Sequence, residues 1–485
     1  MPEGLLQDLE EGQRALEAGR YPDAISAFTR VRDQLPADVS IAIALANVHR
    51  LSGDLSAVRR VLLRAHTEGD WSTPSVAFSL GAALLDVGAP LEAAACFQRV
   101  VRAMPDDPAA AGALAGARRA LGEASVAWPI IEKAVRKSPA NPALLLTAAQ
   151  VKHDLGDFAA ALRYLDRADA ARPGHGPTRL QRAYTTLIQG ASSEGWTLFD
   201  ERPLPVPLTA AREWHGEVLN GESVFVTAEQ GIGDQFQFMR FVPMLRERGA
   251  DRVVVECHAD VVSLLAANGF DAVPRGSSTQ TDWHVPLLSL PHRLQLGANV
   301  AGDRVPYLRS PMGSDPNGRI DSPSPMGSDS KGSTDSPSAR AGMRRIGLVW
   351  AGNPSFTGRV TRDFPADLLP SILAIPGVDW TSLQFGEPGD AAPAELHRAP
   401  LPVDWAMTAN LLAGLDGLVT TDTGIAHLAG AMGLPTWVLL QQVPDWRWGL
   451  NGKTTPWYPT MRLVRPTKWN DWSSVVGRLR KLLGV

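Results

Sequence analysis

Residues 19–36 read "GRYPDAISAFTRVRDQLP", and the phrase returns at 88–105 as "GAPLEAAACFQRVVRAMP" and at 156–173 as "GDFAAALRYLDRADAARP". Each copy opens on a Gly, closes on a Pro and carries small and large apolar residues at helical spacing between them. The opening glycines belong to a series, Gly19, Gly53, Gly88, Gly122, Gly156 and Gly190, in steps of 34, 35, 34, 34 and 34 residues. Pro36, Pro105, Pro139 and Pro173 keep the same interval, at separations of 69, 34 and 34. A Gly permits a tight turn between two helices, and a Pro ends the helix before it. Ala24, Ala94 and Ala161 are expected to let paired helices approach closely. The larger Phe28, Phe97 and Leu165 are expected to fill the space between successive pairs.

A 34-residue helix–turn–helix period is the signature of tetratricopeptide repeats, which this stretch closely resembles. The resemblance implies a superhelix with a concave groove that holds a peptide or protein. A scaffold that only dimerises or supports the second half of the chain is the alternative.

With 485 residues the chain exceeds one core, so several domains are expected. Hydrophobic residues at 44% and charged residues at 20% are ordinary for a soluble globular protein. A formal net charge of −4 gives no global field for nucleic acid or an anionic membrane, so no nucleic-acid partner is expected. The two cysteines, Cys96 in a predicted helix and Cys257 in a predicted strand, support neither a disulfide framework nor a metal cluster. The stretch "MPEGLLQDLEEG" is acidic and lacks a basic region followed by an apolar one, so no secretory leader is expected. No run of eighteen apolar residues occurs, so no transmembrane segment is expected. Together these features predict a bacterial-type cytoplasmic protein.

After "FDERPLPVPLTAAREWHGEVLNGES" the pattern changes. "SVFVTA", "GDQFQFMRFVPMLRERG", "DRVVVEC" and "HADVVSLLAANG" alternate β-branched runs with helical ones, which reads as βαβ units on a parallel sheet. Residues 311–340 interrupt with "PMGSDPNGRIDSPSPMGSDSKGSTDSPSAR", rich in Gly, Ser, Pro and Asp, where composition predicts a disordered linker. Alternation resumes with "RRIGLVWAG", "VDWTSLQFG", "LDGLVTTDTG", "LPTWVLLQQ" and "MRLVRPT". Helices are predicted near 366–375, 405–414 and 424–433, and a last one starts near Trp469 or Asn470. The predicted domains are therefore repeats at 1–205, a first Rossmann-like half at 206–310, the linker at 311–342 and a second Rossmann-like half at 343–485.

Ligands of open α/β sheets bind at the carboxyl ends of strands, which directs attention to the loops there. The first such loop lies in "AEQGIGDQFQF", where Gln230, Gly231 and Gly233 flank Asp234. Gly231 and Gly233 allow a tight turn, and Asp234 at the helix start either caps the helix or faces the cleft and accepts a proton from a substrate hydroxyl. The dinucleotide fingerprint is incomplete because Phe236 stands at its third Gly position.

In "GLVTTDTGIAHLAGAMG" a buried strand hands over to a small-residue helix. Asp422, Thr423 and Gly424 form the helix start, where free N–H groups and the positive dipole end suit a phosphate. The Thr421 and Thr423 hydroxyls can add hydrogen bonds, Asp422 can cap the helix or hold a sugar hydroxyl, and His427 shares a face with Thr423. A third loop, "WAGNPSFTGRVTRDFP", contains Gly352, Asn353 and Gly358 and offers Arg359 and Arg362 to an anion. The stretch "VPDWRWGLNGKTTPWYP" concentrates three tryptophans, a tyrosine, Arg447 and Lys453, either to stack a base or sugar or as a packed aromatic lid. No Asp-x-Asp triplet, GxxxxGK[ST], HExxH or CxxC occurs, so no metal or other cofactor is expected.

"AEQGIGDQFQF…RFVPMLRERGA", "IGLVWAGNP…TRDFP", "TDTGIAHLAGAMGLPTWVLL" and "PDWRWGL…TPWYPTMRLVR" resemble the tetratricopeptide-repeat glycosyltransferases with a heptosyltransferase-like GT-B domain. The resemblance spans nearly the whole chain apart from the 311–340 insertion. It implies an all-α tetratricopeptide-repeat superhelix followed by an α/β GT-B fold, two Rossmann-like halves facing a cleft. It implies Asp234 as general base, and donor binding by Asp422, Thr423, Gly424 and His427. It also implies a basic residue on the donor phosphate, here Arg362 with Arg359 as rival. The expected activity is metal-independent, inverting transfer from a nucleotide sugar to a Ser or Thr of an acceptor protein held by the repeats. Among such proteins the chain resembles bacterial flagellin glycosyltransferases, which implies flagellin as acceptor and a CMP-nonulosonic acid such as pseudaminic acid as donor. A lipid-linked or polysaccharide acceptor, and a non-catalytic repeat adaptor with a degenerate transferase domain, are the alternatives.

Overall fold

The computed structural model describes residues 3–190, 192–204, 209–297, 304–312, 342–353, 362–390, 392–394 and 396–484. These divide into two compact units, the first holding the described residues up to Gln181 together with Asn353 and the second holding the rest from Arg182 onward.

The first unit is built from antiparallel helix pairs. The pairs are α1 (Glu3–Glu17) with α2 (Tyr21–Gln34), α3 (Val39–Leu51) with α4 (Leu55–Glu68), and α5 (Pro74–Asp86) with α6 (Pro90–Ala103). Then come α7 (Pro108–Ala120) with α8 (Ala124–Lys137), and α9 (Pro142–Asp154) with α10 (Phe158–Ala171). Gly19, Gly53, Gly88, Gly122, Gly156 and Gly190 all have positive φ, between 70° and 147°. An L side chain rarely adopts this backbone, so the periodic Gly is the turn itself. Pro36, Pro105, Pro139 and Pro173 each stand two residues beyond a second helix, where they block its extension. The second pair lacks this Pro; it ends instead at Gly69, where a Cβ would come within 2.4 Å of the Ala65 carbonyl oxygen.

Ala24, Ala94 and Ala161 are buried as expected. Phe28 and Phe97 lie in one core cluster with residues of neighbouring pairs, such as Leu45 and Leu114, and each also packs within its own pair. A Cβ on Gly12 would meet Phe28 at 3.1 Å, and one on Gly81 would meet Phe97 at 2.9 Å. A small residue on the first helix makes room for a large one on the second.

Helix α11 (Gly176–Leu187) straddles the boundary, and α12 (Ser193–Asp200) belongs to the second unit. Two parallel sheets follow. The first is built from β1 (Arg212–Glu213), β2 (Ser223–Thr227), β3 (Arg252–Cys257), β4 (Asp271–Pro274) and β5 (Trp283–Pro286), in the order β1-β5-β2-β3-β4. Its helices are α13 (Ile232–Phe238), α14 (Pro243–Glu247), α15 (Val262–Ala267) and α16 (Leu290–Arg293). The second sheet holds β6 (Arg344–Val349), β7 (Val378–Ser382), β8 (His397–Arg398), β9 (Gly417–Thr420), β10 (Thr436–Leu439) and β11 (Met461–Val464), in the order β11-β10-β9-β6-β7-β8. With it come α17 (Leu369–Leu373), α18 (Glu387–Asp390), α19 (Trp405–Ala413), α20 (Gly424–Ala431) and the closing α21 (Trp472–Leu482).

All strand pairs are parallel. Continuous apolar runs such as Val253–Val255 are buried on both faces, as parallel sheets require. In the first sheet the strand order reverses at β2, which has β3 on one side and β5 on the other. In the second it reverses between β6 and β9. Loops leaving the carboxyl ends of these strands therefore open onto topological switch points.

Helix α21 begins at Trp472, later than expected, because Asp471 caps it through Ser474 N–H and Asn470 adopts φ 57°. The predicted linker lies outside the described residues over 313–341. Cys96 and Cys257 are both buried, in α6 and β3.

Candidate functional site

The loop after β2 turns through Gln230, whose φ is 55°, rather than through either glycine. Gly231 has an ordinary φ of −90° and is the N-cap of α13. Asp234 is thus the third residue of the helix and not its cap. Its Oδ2 accepts the Gly231 N–H at 3.0 Å, tying the side chain back over the first turn. Gly233 is required for a different reason. A Cβ there would lie 2.9 Å from His427 Cδ2 and 3.3 Å from the Gly424 Cα, so α13 and α20 meet through their first turns.

In the loop after β9, Thr423 is the N-cap of α20 by backbone, but its hydroxyl accepts no helix N–H. That hydroxyl is 2.9 Å from the Thr420 hydroxyl and donates to the Thr421 carbonyl at 3.3 Å. Thr421 Oγ1 is buried without a hydrogen-bond partner. Asp422 turns away from the helix, and its Oδ2 lies 3.2 Å from Arg362 Nη1. His427 Nδ1 is 2.9 Å from the Tyr458 hydroxyl, its ring stacks on Trp448 at 5.2 Å, and its Nε2 is 3.9 Å from Asp422 Oδ1. Burial, aided by Arg447, pushes the His427 pKa down to about 3, so its imidazole is neutral.

The loops after β6 and β10 supply the arginines. A continuous ionic chain runs Asp234–Arg447–Asp445–Arg362–Asp422. Arg447 Nη2 donates to Asp234 Oδ1, and its Nη1 to Asp445 Oδ1 at 2.9 Å. Arg362 Nη2 donates to Asp445 Oδ2 at 3.1 Å, and Gln237 Oε1 accepts from Arg447 Nε at 2.9 Å.

Burial alone would raise Asp445, but Arg447 and Arg362 overcome it and hold its pKa at about 2. Asp422 goes the other way, since burial pushes its pKa up by more than Arg362 restores. Burial opposes the charge on Arg447 and Arg362 too, yet their carboxylate neighbours raise both above the ordinary value. Burial lifts Tyr184, on α11 near Arg447, Asp445 and Asp234, to about 12. Of the five chain members Arg362 is the most accessible, at 32% of its side chain, so an anion from solvent meets it first.

Four loops from the carboxyl ends of β2, β6, β9 and β10 thus bring together Asp234, Arg362, Asp422, Thr421, Thr423, Gly424 and His427. Asn353 is exposed at the start of its loop, and Arg359 lies outside the described residues. The tryptophans of the β10 loop are packed rather than presented. Trp446, Trp448 and Trp457 are buried, and Trp446 lies edge-on to Trp196 of α12 at 5.4 Å. Lys453 is exposed. Beneath His427, buried Arg240 donates to the Trp457 carbonyl at 2.7 Å and the Tyr307 hydroxyl at 3.1 Å, with its guanidinium over the Tyr458 ring.

Gln237, Tyr458 and Tyr184 join the site with no local sequence signal, because their partners are distant in sequence, and Asp445 pairs both with nearby Arg447 and with Arg362, 83 positions away. Among the described residues no group of three or more His, Cys, Asp or Glu is arranged to hold a metal ion. No helix of the described residues is long and apolar enough to cross a membrane.

Comparison with known proteins identifies tetratricopeptide repeats at residues 9–66 and 78–142. The chain is 24% identical over 328 residues to Protein FlbA of Caulobacter vibrioides, an alignment covering 63% of this chain and 54% of that protein. It thus spans about half the length of this curated relative. Solved structures similar to parts of the chain include MamA, at 19% identity over 35% of this chain and 93% of MamA, with a TM-score of 0.30. A tetratricopeptide repeat protein from Parabacteroides merdae matches at 13% identity over 41% of this chain and 80% of its own, with a TM-score of 0.35. The tetratricopeptide repeats make the first part of the chain a protein-interaction module.

Proposed function

We propose that the chain is a metal-independent, inverting GT-B glycosyltransferase that moves a sugar from a nucleotide-sugar donor to a Ser or Thr of a protein recruited by its repeats. The observation that carries this reading is the convergence of strand-end loops from two parallel sheets on a pair of arginines, buried Arg447 and half-buried Arg362, beside the first turns of two helices. Guanidiniums and helix N-termini are the groups that neutralise phosphate without a metal.

In the transfer, the acceptor hydroxyl gives its proton to Asp234 and its oxygen forms a bond to the anomeric carbon. The bond from that carbon to the phosphate oxygen breaks, and its electron pair leaves with the nucleotide. Arg362 and the start of α20 stabilise the departing phosphate, while Asp422, Thr423, Gly424 and neutral His427 shape the donor side. Resemblance to flagellin glycosyltransferases makes flagellin the favoured acceptor and a CMP-nonulosonic acid the favoured donor, with the reaction in the cytoplasm. Fold-level analogy supplies that identification, and the site chemistry supplies only the phosphorylated donor.

A second reading has one observation in its favour. Both Asp234 oxygens are engaged, by Arg447 and by the Gly231 N–H, as they would be in a non-catalytic adaptor. Intact-mass measurement of flagellin from cells carrying either the wild-type chain or Asp234→Asn separates the two. Catalysis predicts a sugar-sized mass increment that disappears with Asp234→Asn at equal chain abundance. Equal masses from both strains refute it.

A further inference from the structure

The Asp445 carboxylate sits between two guanidiniums at the mouth of the second sheet's switch point. Its Oδ1 faces Arg447 Nη1 at 2.9 Å, and its Oδ2 faces Arg362 Nη2 at 3.1 Å. Two guanidiniums bridged by two oxygens of one anion is the arrangement that a phosphate group makes with an arginine pair. We propose that Asp445 is an internal stand-in for the donor's phosphate, occupying the arginine pair when the site is empty and giving it up when a phosphate or pyrophosphate group binds. The inference rests on the reading of this site as the donor site and adds a residue that sets its specificity.

The charge count gives the stand-in a purpose. Asp234, Asp422 and Asp445 face Arg362 and Arg447, so the cluster carries one excess negative charge when all five are ionised. A monoanion such as chloride or acetate gains too little to displace a carboxylate that is already in place. A phosphate or pyrophosphate group, with several oxygens, engages both arginines and satisfies further donors. Gln237 Nε2, on the side chain that already accepts from Arg447, is buried without a hydrogen-bond partner and is one such donor. Asp445 thereby keeps the arginine pair assembled and excludes weak anions.

Asp445 also has a structural duty, since its Oδ1 accepts the Arg447 N–H at 3.1 Å and caps the turn at Trp446–Trp448. Asp445→Asn retains that acceptor oxygen, removes the charge and turns an NH2 donor toward Arg362 in place of the acceptor it had. Calorimetric titration of the full chain with inorganic pyrophosphate is expected to show at least about tenfold tighter binding to Asp445→Asn than to wild type. Arg447→Ala is expected to bind more weakly than wild type. Equal or weaker binding by folded Asp445→Asn overturns the proposal.

A measurement on the wild-type chain serves if that variant does not fold. Displacement of Asp445 frees the Arg447 N–H, so saturating pyrophosphate is expected to speed amide hydrogen exchange in residues 444–449. Slower or unchanged exchange there under saturation overturns the stand-in while leaving the donor site intact. Failure of pyrophosphate and of every nucleotide to bind either protein overturns the donor-site reading, and the stand-in with it.

Discussion

Replacing Gly233 by Ala tests the contact on which the site is built. The added Cβ would stand 2.9 Å from His427 Cδ2 and 3.3 Å from the Gly424 Cα. The imidazole cannot easily retreat, because Tyr458 holds its Nδ1 at 2.9 Å and Trp448 covers one face. Forcing one methyl into a packed contact costs about 1–3 kcal/mol, and the better helix propensity of Ala returns at most about 1 kcal/mol. The difference spans about 0–3 kcal/mol, so a net loss centred at ~1.5 kcal/mol is expected. Gly424→Ala, on the facing helix, is the matched control. Its Cβ would meet only ordinary contacts, Trp405 Cη2 at 3.4 Å and Gly233 N at 3.6 Å, so its stability should stay within about 0.5 kcal/mol of wild type. Tryptophan fluorescence during urea unfolding is the assay, since twelve of the fourteen tryptophans lie after residue 181 and report on the second unit. The two units need not unfold together, so the midpoint of the fluorescence transition is the quantity to compare. A Gly233→Ala protein as stable as Gly424→Ala would refute the close approach of α13 and α20.

Two further expectations concern stability. The folded pKa of His427 is about 3, whereas an unfolded His titrates near 6.5. Below pH ~6.5 the unfolded chain takes up a proton that the folded chain refuses, so stability falls as pH drops, by at most about 1.4 kcal/mol per pH unit. His284 and His49, also lowered by burial, act in the same direction and remain in a His427→Gln variant. Urea titrations between pH 7 and pH 5 should therefore show a shallower but nonzero slope for His427→Gln, and an unchanged slope would place His427 in contact with water. Arg202, whose Nε donates to Glu229 Oε2 at 2.8 Å, forms a buried pair with side chains 2% and 5% exposed. Arg202→Ala leaves Glu229 unpaired and should cost about 3–5 kcal/mol, whereas Arg202→Ala with Glu229→Gln should recover part of that loss in the same fluorescence assay.

The repeats were legible because their signal is local and periodic. Every predicted turn glycine, from Gly19 to Gly190, adopts the positive φ that only Gly takes readily. The loops after β2, β6 and β9 were legible for a similar reason, since Gly, Asp and Thr punctuate the ends of apolar runs. What they do was less so. Gly233 looked like a turn residue, but the space it leaves is for His427, 194 positions away. Asp234 looked like a cap or a free base, and it pairs with Arg447, 213 positions away. Local pattern encodes which residues start a helix; it does not encode which distant charge a carboxylate meets. The strands β1, β4 and β5 span only two to four residues, too short for alternation to show. The tryptophans of the β10 loop left stacking and packing equally open until their burial decided for packing.

The most direct test of the central claim is a calorimetric titration of CMP, UDP, GDP and ADP into the wild-type chain and into Arg362→Ala. One nucleotide is expected to bind wild type, and Arg362→Ala to weaken it by at least about tenfold, the loss of roughly one charge-assisted contact. CMP as that nucleotide would point to a nonulosonic acid donor. Binding of none of the four, or binding indifferent to Arg362, would contradict the account and leave the chain as a repeat adaptor.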